Sequence, residues 1–150
     1  MKKENKENSE LISWSDRLSC GIDLIDEQHK GLVALVNEMY NHVTGNEIQE
    51  YEYFNKVIQE AINYAKTHFA TEEKLMLEAK LPGYAKHKRA HGLFILTVID
   101  NIDHYKTGKR FNLFSFTKFL KDWVLSHIAL VDKQCFANLK TLTAALPVNL

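Results

Sequence analysis

Seven side chains of this 150-residue chain have the chemistry of metal ligands and a spacing that lets them act together: His29, His68, Glu72, His87, His91, His127 and Asp132. Imidazole suits the transition metals, and carboxylates favour harder ions and can bridge two of them. His68 and Glu72 are four residues apart, as are His87 and His91, which puts each pair on one helical face a turn apart. His127 and Asp132 are five apart, and His29 stands alone. Seven ligands exceed the four of a tetrahedral zinc site. They suit two ions that share bridging carboxylates. Five residues turn an ideal helix by about 500°, leaving His127 and Asp132 about 140° apart. Either a local distortion such as a π-bulge closes that angle, or Asp132 reaches in from the flank.

The elements that must carry these residues are four amphipathic helices. Apolar residues at 3.6-residue spacing predict helices over about Asp26–Val43 (Ile25, Leu32, Val36, Met39), Glu47–Glu78 (Phe54, Ile58, Ala61, Tyr64, Leu75), Tyr84–Lys106 (Phe94, Val98, Ile102) and Leu113–Leu139 (Leu120, Val124, Val131, Cys135). Thr44-Gly45-Asn46, Leu81-Pro82-Gly83 and Thr107-Gly108-Lys109 separate them. No stretch alternates as a strand would, so the class is all-α. Short connections make neighbours antiparallel, giving an up-down-up-down four-helix bundle. That order brings the start of the first helix, the end of the second, the start of the third and the later part of the fourth to one end. Those are the positions of the seven ligands. Every one except Asp132 falls on an apolar stripe, where a titratable group is costly unless paired or bound to metal. Residues 11–25 lack helical period and read as an ordered N-terminal arm anchored by Trp14 and Ile22. Residues 1–10 read as a disordered polar tail, leaving 11–150 as the bundle domain.

Composition narrows the function classes. Nineteen Lys and Arg balance nineteen Asp and Glu, so no net field draws nucleic acid or an anionic membrane. No run approaches the roughly 20 apolar residues of a membrane span, and the N-terminus lacks the apolar segment of a signal peptide. The expectation is a cytoplasmic protein that does not insert into membranes.

The ligand-bearing segments resemble the hemerythrin family, in particular its bacterial single-domain members. The resemblance covers residues 11 to about 140. It rests on GIDLIDEQHKGL around His29, HFATEE around His68 and Glu72, PGYAKHKRAH around His87 and His91, and WVLSHI with the following aspartate around His127 and Asp132. One small departure is Leu81, where an aromatic residue often precedes the proline. The resemblance implies a non-haem di-iron centre for dioxygen. His87, His91 and His127 would hold one iron. His29 and His68 would hold the other, which keeps an open position. Glu72, Asp132 and an oxo or hydroxo group would bridge the two. Leu32, Phe69, Trp123 and Ile128 resemble the apolar lining of the dioxygen pocket, although plain core packing accounts for the same four residues.

Reversible dioxygen binding by a carrier, store or sensor leads among the functions that follow, and the chain reads as a binding protein rather than an enzyme. The alternatives are a di-iron oxidase, peroxidase or nitric-oxide-handling enzyme, and an iron reservoir. A sensor would need a separate protein partner. No further carboxylate, Tyr or Cys belongs clearly to the site. His42 and His104 read as non-ligands toward the far end, and Lys86, Lys88 and Arg89 as a solvated face. Cys135 reads as a buried small hydrophobe, and Cys20 as an exposed residue of the arm.

Overall fold

The computed structural model describes residues 9–106, 111–137 and 139, so most of the expected polar tail, the Thr107-Gly108-Lys109 break and the last residues lie outside it. Among the described residues there are four long helices and no strand: α1 Asp23–Asn41, α2 Glu47–Glu78, α3 Tyr84–Lys106 and α4 Leu113–Ser126. A π-helical segment, His127–Asp132, continues α4, and helix resumes over 133–137. Helix α1 packs on α2 and α4, and α2 packs on α3. The chain is a four-helix bundle, antiparallel by its contacts. Phe54 at the start of α2 meets Phe116 at the start of α4 (ring centroids 5.1 Å apart), while His29, Glu72, His87 and Asp132 meet at the opposite end.

Helix α1 begins three residues before the expected Asp26 and ends two before Val43. Gly21 takes a left-handed conformation (φ 79°) and turns the arm directly into Asp23, and Asp23 and Asp26 favour the positive end of the helix dipole. At the far end the Asn46 side chain accepts from Ile48 N and Gln49 N and starts α2. The buried Glu50 carboxylate accepts from Thr44 N and Gly45 N at 2.9 Å, tying the α1–α2 turn to the helix it opens. Helix α2 closes with Leu81 N donating to Met76 O, the long bond of a Schellman motif, with Lys80 at the left-handed position (φ 52°).

The apolar interior is split. A large cluster fills most of the bundle with Val36, Met39, Phe54, Phe69, Phe94, Val98, Phe116, Leu120 and Val124. A smaller one, Cys20, Ile25, Met76, Leu81, Phe136 and Leu139, closes the other end. The arm is fastened by Ile12, Leu18 and Cys20, which are buried, whereas Trp14 and Ile22 are half-buried. Asn37 holds the arm further by accepting from Leu11 N and Ile12 N and donating to Ile12 O, each at 2.9 Å.

Candidate metal centre

The structure brings all seven predicted side chains into one buried layer between these two clusters. Each is no more than 5% exposed, and Asp132, which helical spacing alone leaves off the core stripe, is fully buried. The π-helical segment explains Asp132. Its i→i+5 bonding takes up the extra residue and brings Asp132 round to the face of His127.

The two carboxylates sort the histidines into two sets. Glu72 Oε1 lies 2.9 Å from His29 Nε2 and 2.8 Å from His68 Nε2, while Glu72 Oε2 lies 3.3 Å from His87 Nε2 and 3.1 Å from His91 Nε2. Asp132 divides the same way, with Oδ2 3.0 Å from His29 Nε2 and Oδ1 2.8 Å from His87 Nε2 and 3.0 Å from His127 Nε2. Each carboxylate turns one oxygen toward a two-histidine set and the other toward a three-histidine set. His91 Nε2 and His127 Nε2 also sit only 3.0 Å apart. Two overlapping groups result, Glu72, His87, His91, His127 and Asp132 on one side and His29, His68, Glu72 and Asp132 on the other, each with ligand atoms close enough to hold an ion.

The donor chemistry fits metal. Glu72 Oε2, His87 Nε2 and both Asp132 oxygens are buried and meet one another only as close N···O approaches that lack good hydrogen-bond geometry, a costly state for apolar surroundings. Burial alone would favour the neutral forms of these groups, but their mutual bonds reverse that. The close imidazole nitrogens of His29, His68, His87 and His91 hold Glu72 well below the usual carboxylate range. Those of His127, His29 and His87, 2.8–3.0 Å away, bring Asp132 down to about 2. Burial would likewise lower His29, yet its bonds to Asp132, Cys20 and Glu72 raise it to about 11. His87 rises to about 11 through Asp132, Cys135 and Glu72 against the same opposing burial. Two carboxylates kept anionic, facing His29 and His87 imidazoles that hold protons, form a site in which cations can replace the protons.

The Hemerythrin HHE cation binding domain family model matches residues 20–139. The chain belongs to the hemerythrin family. It is 35% identical over 128 residues to a bacteriohemerythrin of Stenotrophomonas maltophilia, covering 85% of this chain and 80% of that one. It is 33% identical over 117 residues to a bacteriohemerythrin of Pseudomonas aeruginosa, covering 78% and 74%. A crystal structure of wild-type hemerythrin superposes with a TM-score of 0.72 at 27% identity, over 85% of this chain and 98% of the other. All seven buried ligand candidates lie inside the span of the hemerythrin domain.

Of the four expected pocket residues, Leu32, Phe69 and Trp123 line an apolar cavity of about 50 Å³ in the large cluster, and Ile128 is buried outside it. Phe69 stacks on His91 (ring centroids 3.9 Å apart) and Trp123 on His127 (4.4 Å), so both cover the three-histidine side. His42 stacks on Tyr53 and bonds the Glu38 carbonyl, and His104 pairs with Asp100, far from the layer. Lys86, Lys88 and Arg89 are exposed.

Three further residues reach the outer nitrogens of these histidines, and a fourth lies beside His87. Cys20 is buried, not exposed, because the arm folds its thiol to 3.9 Å from His29 Nδ1. Cys135 is half-buried, packs against the small apolar cluster as expected, and also interacts with His87. Gln28 Oε1 lies 2.7 Å from His68 Nδ1 and Glu73 Oε2 3.4 Å from His91 Nδ1. Sequence held a signal for two of these: Gln28 precedes His29, and Glu73 follows Glu72. An aperiodic arm gives no comparable signal for Cys20.

Proposed function

We propose that this chain binds dioxygen reversibly at a di-iron centre held by the seven buried side chains. His29 and His68 hold one iron, His87, His91 and His127 hold the other, and Glu72, Asp132 and a solvent-derived oxo or hydroxo group bridge them. The observation that carries this reading is the division of each carboxylate between a two-histidine and a three-histidine set. Unequal sets leave the two-histidine iron with room for an exogenous ligand. When bound, the irons supply the electrons that a dioxygen ligand takes up.

The protein's own part is to orient and to keep dry. Phe69 and Trp123 cover the three-histidine side of the layer, and Leu32 and Ile128 belong to the same apolar cluster; water and protons reach a bound ligand less readily through such a wall. Hemerythrin membership and the bacteriohemerythrin relatives support the same reading. Among the described residues no helix is long and apolar enough to cross a membrane, in keeping with a carrier, store or sensor in the cytoplasm.

The test is anaerobic reduction of the iron-loaded protein, then cycles of dioxygen addition and removal followed by visible absorption, with iron analysis of the same sample. Two irons per chain and repeated return of both spectra are expected. Steady consumption of dioxygen with turnover of a reductant would assign an enzyme instead. Metal analysis showing one ion per chain would overturn the di-iron reading.

A further inference from the structure

The outer nitrogens of the ligand histidines meet different chemistry on the two sides of the layer. On the two-histidine side, His29 faces the Cys20 thiol and His68 faces the Gln28 amide oxygen, both uncharged. On the three-histidine side, His91 faces the Glu73 carboxylate, which lies at a solvent-facing groove between α2 and α3. Such outer partners fix the tautomer and angle of a ligating imidazole and set how strongly it donates to the metal.

The Cys20 contact is built in, because three bonds hold this stretch of the arm. Cys20 N donates to Asp26 Oδ1 at 2.7 Å and Ser19 Oγ donates to Asp26 Oδ2 at 2.6 Å, so the first turn of α1 clamps the residues on which the thiol sits. Gly21 N donates to Ser19 Oγ at 3.2 Å, and the left-handed Gly21 turns the chain back over the helix start. The sulfur is buried in the small cluster with Ile25, Met76 and Phe136.

We propose that Cys20 is the positioning residue of His29: with His29 Nε2 on a metal, its Nδ1–H donates to the Cys20 sulfur, a weak uncharged acceptor that holds the ring without adding the electron density a carboxylate would. The metal on the His29/His68 side is therefore the less strongly donated one and the easier to reduce, while the Glu73-backed side favours the oxidised state. This rests on the di-iron reading above.

Three substitutions separate position from packing. C20V fills the space without an acceptor, C20S supplies an acceptor in less space, and C20A does neither. Each variant is loaded with iron and checked for two irons per chain. The exchangeable, paramagnetically shifted imidazole N–H resonances and the reduction potential are then read. In C20V one N–H resonance moves or exchanges faster and the potential rises, with melting temperature close to the parent. C20A repeats the spectral change with lower stability. C20S restores the resonance and keeps the potential at or below the parent value. If C20V leaves resonances and potential unchanged, or C20S behaves like C20V, Cys20 is only packing and the proposal fails. Failure of the parent protein itself to hold two irons would instead overturn the di-iron reading.

Discussion

At the scale of single residues, the layer is governed by competition between protons and metal for the same lone pairs. His29 and His87 are raised from the ordinary 6.5 to about 11. Between those values the folded metal-free chain binds more protons than the unfolded chain, so its stability is highest below 6.5 and falls as pH rises. Asp132 is lowered from 3.8 to about 2, so its contribution is present above 3.8 and is lost as pH falls toward 2. Metal binding needs deprotonated ligands and strengthens as pH rises. The gap in melting temperature between iron-loaded and metal-free protein should therefore be wider at pH 9 than at pH 6, measured by scanning calorimetry on both forms. A second pair of substitutions separates lining from ligand. Leu32→Ala opens the apolar wall one turn past His29 and should keep both irons while the oxygenated form decays several-fold faster in stopped-flow absorption. His127→Ala removes a donor facing Asp132 and should lower iron content below two per chain. Equal iron loss in both variants would remove the distinction.

At the scale of elements, the bounds of α2 and α3 and the start of α4 were legible in the sequence, because breakers and apolar period coincide there. The early start of α1 was not, since Gly21 and the acidic first turn lie outside its apolar stripe. Convergence of the histidines followed from antiparallel order alone. The His127–Asp132 step was legible only as a problem, because a π-helical segment depends on side chains elsewhere in the fold that reward the extra residue. Cys20 escaped for a related reason, as its burial depends on where a non-periodic arm is clamped. The end of α2 carries its own prediction. Lys80 holds a left-handed conformation that costs an L-residue with a Cβ roughly 1–2 kcal/mol and glycine almost nothing. Lys80→Gly should stabilise the protein by about 1 kcal/mol and raise the melting temperature by roughly 2–4 °C. The gain should be similar with and without metal, since the turn lies beyond the layer.

For the whole molecule, the split interior makes the two ends unequal. The end rich in Phe54, Phe111 and Phe116 is held by ring contacts that need no ion. The other end depends on a polar layer whose buried atoms lack well-formed hydrogen bonds, each such atom costing on the order of 1–3 kcal/mol. Chelation of the metal should lower the melting temperature and loosen the arm, the end of α2 and residues 127–137, while the start of α2 keeps its protection. Equal protection in both forms would mean that the layer is satisfied by protons alone. The π-helical segment then acquires a kinetic meaning. It is a winding that α-helix would replace unless something rewards Asp132 for standing where it does. Without an ion the reward shrinks, and relaxation of this one turn toward α-helix would swing the Asp132 carboxylate away from His127. Loading should therefore be gated by the fourth helix, with amide exchange at 127–132 in the metal-free protein matching the rate at which iron enters.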